Sequence, residues 1–325
     1  MQKFLLLYVP LLLFSITGMA QKKDTTAINE LDSAAILKEL MNLLDAVKTP
    51  SSYISIEAGV GNRLFSVHNN RLNARQSSIS TLVYTPSVGY FHKSGLSLSA
   101  GAYLLNDKTK GFGASQFSLM PGYDLLNNNR WAFSISYTHY FIKDYFSIYS
   151  SPVQNDFYTS LSYKKSWIKP GIAAGYSTGK YKQVFVRDSI LGTIRRRLYD
   201  SATFNLRSFS TIFSAGHDFD WQNVFTRDDG LIFTSSFVLN FGSYNIGIIH
   251  KTNAPHLLDR LINRGRFPKI IASNFRAESV GMNMNLNYSI GSFSFSPRLY
   301  LDYYLPESDS DKFTQSFNFS VGYIF

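Results

Sequence analysis

Six histidines and no cysteine set the limits of the chemistry this 325-residue chain can carry. Without thiols there is no disulfide, no thiolate metal site and no acylated cysteine. His68, His92, His250 and His256 have no ligand or nucleophile partner at a telling spacing. His139, in Tyr137-Thr138-His139-Tyr140, is a residue type suited to general-base work, but no serine stands beside it to be activated. In His217-Asp218-Phe219-Asp220 two carboxylates flank an imidazole, a set that can hold a metal and that equally describes solvated charges at a rim. No glycine-rich loop opens a helix to cradle phosphate. The sequence therefore predicts no catalytic residue, no metal and no cofactor.

What remains is a sparse set of ionisable side chains carried on segments of alternating polarity, and those segments must position them. From Phe313 to Phe325 every second residue is Phe313, Gln315, Phe317, Phe319, Val321, Tyr323 and Phe325, while the intervening face is Thr314, Ser316, Asn318, Ser320, Gly322 and Ile324. A period of two means a strand. A soluble sheet places Lys and Glu on its wet face, whereas this face is small and polar without a charge, as the inner wall of a transmembrane barrel requires. From Ser52 onward the same pattern recurs in about twelve segments, each of roughly ten residues, the length a tilted strand needs to cross hydrocarbon. The first runs Ile54 to Val60, and the tenth sets Val280, Met282, Met284, Leu286 and Tyr288 against Gly281, Asn283, Asn285, Asn287 and Ser289.

Connections alternate between short and long, with short turns at His92 to Gly95, Leu126 to Arg130, Lys164 to Ser166, Asp220 to Gly230 and Gly291 to Ser292. Long loops are expected at Asn62 to Ser78, Asn106 to Gly113, Ile142 to Asn155, Gly179 to Ala202, Gly242 to Arg276 and Pro306 to Lys312. With short turns inside and long loops outside, Tyr90, Tyr123, Trp131, Tyr163, Trp167, Phe219, Tyr288, Phe293 and Phe325 fall at the periplasmic strand ends as an aromatic girdle. Pro86, Pro121, Pro170 and Pro297 interrupt strands and should sit at bulges or near strand ends.

A final Phe325 with Tyr323, Val321 and Phe319 two, four and six positions before it resembles the C-terminal signature of bacterial outer-membrane β-barrels. The resemblance implies an all-β, antiparallel, up-and-down transmembrane barrel in a Gram-negative outer membrane, with Phe319, Val321, Tyr323 and Phe325 as the signal read by the barrel assembly machinery. It names a class with many functions. The chain begins as an exported protein does: Lys3, an apolar run from Phe4 to Thr17, then Gly18-Met19-Ala20, predicting residues 1–20 as a signal peptide cleaved near Ala20. Residues 21–50 read as a periplasmic linker with a short amphipathic helix over 31–47, where Ile36, Leu40, Leu43, Leu44 and Val47 recur at helical spacing and Pro50 ends it. The segment pairs as a helix with a periplasmic protein partner or the barrel rim, folds into the lumen as a plug, or is simply disordered. Residues 51–325 are the barrel.

Glu57, Asp124, Lys169, Arg207, Asp218, Arg298 and Asp302 are the candidate lumen charges, either braces for the wall or a selectivity ring. The net charge of +10 resides largely in two expected loops. One carries Arg195, Arg196 and Arg197 with Lys180, Lys182 and Arg187; the other carries Arg260, Arg264 and Arg266 with Lys251, Lys269 and Arg276. Folded over the mouth they make a positive vestibule that gathers anions; turned outward they grip the phosphates of surface glycolipid. Nucleic acid is not expected, since the basic residues share no surface with stacking aromatics. The expected function is a passive pore or small-solute channel of weak anion preference. An accessory barrel docking periplasmic or secretion partners is the alternative, and a barrel enzyme lacks a triad.

Overall fold

The computed structural model describes residues 50–62, 82–107, 111–142, 153–191, 194–252, 270–306 and 312–325. The expected signal peptide, the 31–47 helix and Arg260, Arg264 and Arg266 lie outside the described residues. Twelve strands follow one another: β1 (Tyr53–Gly61), β2 (Val83–Phe91), β3 (Leu96–Asp107), β4 (Gly111–Asp124), β5 (Trp131–Ile142), β6 (Asn155–Tyr163), β7 (Lys169–Leu191), β8 (Ile194–Gln222), β9 (Asp229–Thr252), β10 (Ile270–Ile290), β11 (Phe293–Tyr304) and β12 (Phe313–Ile324). Each pairs antiparallel with its chain neighbours, and β1 pairs with β12 from Ser55↔Ile324 to Gly61↔Asn318, which closes the barrel.

The period of two separates the faces as the sequence predicts. On β12, Phe319 is 40% exposed while Ser320 beside it is 4% exposed. Ile54, Ile56, Val88, Leu98, Phe117, Leu119, Leu161, Ile172, Phe213, Phe237 and Phe317 are large, apolar and exposed on the outer face. At the short-turn end, aromatic rings meet edge on: Trp131 with Tyr163 at 5.0 Å, Phe225 with Tyr288 at 5.6 Å, and Phe293 with Tyr323 at 4.8 Å. Grease outside and small polar groups inside reverse the order of a soluble protein, as a wall between lipid and water needs.

The prolines are accommodated differently from expectation. Pro170, the second residue of β7, is near a strand end. Pro86, Pro121 and Pro297 lie inside strands without a bulge: the ladder to one neighbour lapses beside each and resumes in the same register, as from Tyr84↔Leu104 to Ser87↔Gly101. Each keeps its place in the ladder to the other neighbour, as Pro297↔Phe319. A missing N–H thus costs one bond without displacing the strand. The bulges fall elsewhere, at Tyr103/Leu104, Ser273/Arg276 and Ala277/Ser279.

The long loop expected at Gly179 to Ala202 is largely strand, and of the one expected at Gly242 to Arg276 residues 242–252 and 270–276 are strand. β7 and β8 stay paired without a register shift from Lys169↔Gly216 to Leu191↔Ile194, and β9 follows β8 to Asp200↔Thr252. The last pair between β6 and β7 is Asn155↔Thr178, and the first between β10 and β11 is Ser279↔Tyr304. Above those levels β7 to β10 continue as an open sheet beyond the closed wall, and the β7–β8 hairpin rises roughly 40 Å further at the usual rise per residue. Arg195, Arg196 and Arg197 belong to this hairpin, paired with Ile190, Ser189 and Asp188.

Short turns are built from specific backbone contacts. Gly95 has φ of +96°, and a Cβ there would meet the Asp124 carbonyl oxygen at 2.0 Å. The Gly95 carbonyl accepts from the Asp124 N–H at 2.9 Å, binding the β2–β3 turn to the end of β4. In the β8–β9 turn the Asp229 carboxylate accepts from the N–H groups of Val224, Phe225 and Thr226 and from the Tyr288 hydroxyl. Gly95→Val combines a left-handed backbone with a collision against main chain, so refolding into detergent micelles should lose most of its heat-modifiable folded band. A native yield of that band would contradict the turn geometry.

Candidate functional site

The lumen is the one concave surface that all twelve strands share, and its lining follows from strand parity. Through the middle of the wall many inward side chains are small: Ser55 and Gly59 on β1, Thr85 and Ser87 on β2, Ser99 and Gly101 on β3, Ser134 and Ser136 on β5, Ser160 on β6, Gly171 and Ala173 on β7, Ser214 and Gly216 on β8, Thr234 and Ser236 on β9; larger ones stand opposite four of them, Met120 by Ser99, Tyr158 by Ser136, Ile212 by Ala173 and Val238 by Ser214. Facing strands interlock through these residues, as where the Ser134 and Ser160 hydroxyls meet at 2.8 Å. Amides replace them on β10, with Asn283, Asn285 and Asn287 inward.

The seven expected lumen charges separate into distinct surroundings. Glu57 lies on the inner face of β1, and Asp124 ends β4 on its inner face, next to the Gly95 turn. Lys169 and Asp218 form an ion pair at 2.5 Å across β7 and β8 near the short-turn end, each about one third exposed at 36% and 34%. Pairing of this kind braces a wall and cancels the local field, and in an exposed setting contributes about 0–1 kcal/mol. Asp302 is 4% exposed and accepts from the Tyr300 hydroxyl at 2.9 Å. The Tyr300 oxygen accepts in turn from Asn240 Nδ2 at 3.0 Å, and that nitrogen also donates to Ser279 Oγ at 2.9 Å. Asp302 therefore belongs to a buried network joining β9, β10 and β11. Arg298 stands two positions before Tyr300 on the same inner face.

Arg207 is a correction. It shares the face of Phe209, which is 42% exposed, while its neighbour Leu206 points inward and is 2% exposed. Arg207 thus lies on the outer surface near the long-loop rim, where a cation meets lipid headgroups. His217 and Asp218 take opposite faces for the same reason. The His217 ring packs on Trp167 at 4.8 Å and on Phe219 at 4.5 Å, with Nδ1 2.7 Å from the Trp167 carbonyl oxygen, while Asp218 turns inward to Lys169. The pair cannot chelate one ion, and among the described residues no three metal-ligating side chains gather. His139 is likewise an outer-face residue, its Nδ1 2.9 Å from Asn155 Oδ1 and its ring edge on to Phe141 at 4.5 Å.

Two inner features escape sequence reasoning. Asp156 on β6 is 1% exposed and accepts from Ser177 Oγ at 2.6 Å; its parity opposite Phe157 is the signal that finds it. Glu278 is buried at the Ala277/Ser279 bulge, which no local pattern announces. At the long-loop end, Tyr140, Val153 and Leu206 form an apolar cluster inside the barrel, with Tyr103, Ile142 and Ile246 packed against it. Val153 is brought in because Gln154 bridges two strands, accepting from the Tyr140 N–H at 2.7 Å and donating to the Thr178 carbonyl at 2.9 Å. This cluster narrows one side of the mouth.

No family model and no curated protein matches the sequence. Among solved structures, a NanC porin aligns with TM-score 0.37 and 12% identity over 83% of this chain and 98% of that one. The translocator domain of autotransporter NalP from Neisseria meningitidis aligns with TM-score 0.35 and 9% identity over 90% of this chain and 97% of that one. LpxR from Salmonella typhimurium aligns with TM-score 0.33 and 13% identity over 83% and 100%. The architecture rests on the chain's own strand pairing: closed antiparallel strands, an apolar outer face and a polar inner face define a β-barrel of the outer-membrane type.

Leu206→Ala leaves a hole in the mouth cluster and should destabilise the folded barrel by about 2–4 kcal/mol. Urea unfolding in lipid vesicles measures this; an unchanged midpoint would mean that the cluster does not hold the mouth together.

Proposed function

We propose that this chain is a passive outer-membrane pore for small solutes, with a weak preference for anions. The observation that carries the reading is the inner face at mid-wall, where Ser, Thr, Gly and Asn make up most of the lining and Met120, Tyr158, Ile212 and Val238 are the larger groups among them. Further bracing groups stand at the ends: the Lys169–Asp218 pair near the turns and the Tyr140–Leu206 cluster near the mouth. Membrane lipid covers the outer face, and the assembly machinery that reads Phe319 to Phe325 delivers the chain there after cleavage near Ala20. The anion preference is argued from the net charge of +10 and from the basic residues of the β7–β8 hairpin.

A second reading is favoured by the open sheet of β7 to β10, which carries paired strand far beyond the closed wall. A barrel whose purpose is to present that sheet, or to dock a periplasmic protein through residues 31–47, is an accessory protein and needs no open lumen.

Planar-bilayer recording of the purified protein decides between them: the pore reading predicts discrete, ohmic conductance steps, and a silent bilayer with inserted protein supports the accessory reading. In a KCl gradient the reversal potential should show weak anion preference that fades as salt rises, because screening shortens the field to about 8 Å at physiological ionic strength. Changing Arg195, Arg196 and Arg197 to Ala should reduce the preference if they form the vestibule. A preference untouched by the triple change leaves those arginines to glycolipid, and cation preference in the native protein removes the anion claim.

A further inference from the structure

Arg298 differs from the paired inward charges described above. Asp218 has Lys169, Asp302 has Tyr300 and Asp156 has Ser177, whereas Arg298 has no hydrogen bond and no ion pair among the described residues, and its Nε is buried without a partner. Its register neighbours are Asn285 on β10 and Asn318 on β12. In both amides Oδ1 is also buried and unbonded. Three adjacent strands, about 4.8 Å apart, thus place three side chains at one level of the wall, each with a polar atom that finds no partner. Buried polar atoms are nearly always satisfied, so a cluster of three calls for an explanation.

The donors that remain supply it. With Nε and both Oδ1 atoms buried, the groups these side chains still have to offer are Nη1 and Nη2 of Arg298 and Nδ2 of Asn285 and Asn318. Every one is a donor. On the far side of Asn318 the next residue at this level is Gly61 of β1, which adds no side chain to fill the space. The nearest inward carboxylates along these strands are four residues away: Asp302 on β11 itself, and Glu57, which pairs with Gly322 on β12. Four residues of strand span about 13 Å, too far for either to neutralise the guanidinium.

We propose that Arg298, Asn285 and Asn318 form a subsite in the lumen that binds the carboxylate of a small organic anion. The planar guanidinium offers two parallel N–H donors to the two carboxylate oxygens, a match that a point charge such as Lys lacks. The flanking amides donate from either side and fix the plane of the ligand. The subsite rests on the reading of an open lumen, and it gives that pore a place of selection inside the wall, separate from the hairpin arginines. It also explains an isolated cation in a lining otherwise neutral or paired at this level: the counter-ion is the solute.

The test uses the full folded chain in detergent micelles with 13C-carboxyl-labelled acetate as probe, reading broadening of its carbon line at low salt. Native protein should broaden the line saturably. Arg298→Met should abolish saturable broadening, and Arg298→Lys, which keeps the charge and loses the fork, should weaken it by about tenfold. Asn285→Ala and Asn318→Ala should each weaken it by roughly threefold, with all four variants retaining the heat-modifiable folded band. Absence of saturable broadening by the native protein, or broadening unchanged in Arg298→Met, overturns the subsite. Acetate binding without conductance removes the pore and keeps the subsite; conductance without acetate binding does the reverse.

Discussion

The structure depends on the pairing of β1 with β12. A sheet in hydrocarbon has no water to satisfy an unpaired edge, so every strand must have two neighbours. The seven pairs from Ser55↔Ile324 to Gly61↔Asn318 remove the last two edges and convert an open meander into a wall. Local features follow from that closure. Pro86, Pro121 and Pro297 each leave one ladder position unbonded while keeping register, and each turns its ring to the apolar outer face with Tyr84, Leu119 and Phe295 as neighbours two positions away. Among the described residues, open edges appear where β7 to β10 have risen past the level at which the other strands end.

Closure also fixes what each side of the wall contains. Lipid dissolves Phe, Leu and Ile on the outside, so burial inside the protein is not what stabilises them. The inside must then be held by small groups fitted between strands and by polar bonds. Tyr300 lies over Gly281, where a Cβ would approach its hydroxyl oxygen to 2.7 Å, and from that position it joins Asn240 to Asp302. An apolar cluster inside the barrel sits at its long-loop end, where Val153 packs with Tyr140 on β5 and Leu206 on β8. At mid-wall Ser, Gly, Thr and Asn stand among the larger Met120, Tyr158, Ile212 and Val238, and one unpaired arginine projects there.

Much of this was legible in the sequence, because alternation with a period of two is a local signal repeated in every strand. All twelve strands, the short turns and the aromatic strand ends can be read that way, as can the separation of His217 from Asp218. Arg207 is placed by the same signal, since Phe209 two residues on marks its face. The β7–β8 ribbon is not legible as strand: above Gly179 the regular alternation of apolar residues gives way to a charged stretch that reads as a loop. Bulges are the other blind spot. One inserted residue at Ala277/Ser279 buries Glu278, and nothing nearby in the sequence marks the shift. The isolation of Arg298 is visible only in three dimensions, because it depends on Asn285 and Asn318, which reach it from two other strands.

The central claim is a single wall with lipid on one side and water on the other, and the absence of native cysteine makes it directly measurable. Single cysteines at Phe317, Asn318, Phe319 and Ser320, spin-labelled in reconstituted bilayers, report collision with oxygen dissolved in lipid and with a water-soluble nickel chelate. The account predicts strict alternation: oxygen access high at 317 and 319, chelate access high at 318 and 320. Equal chelate access at all four positions would contradict a membrane-spanning wall, and chelate exclusion from 318 and 320 would contradict a water-filled lumen.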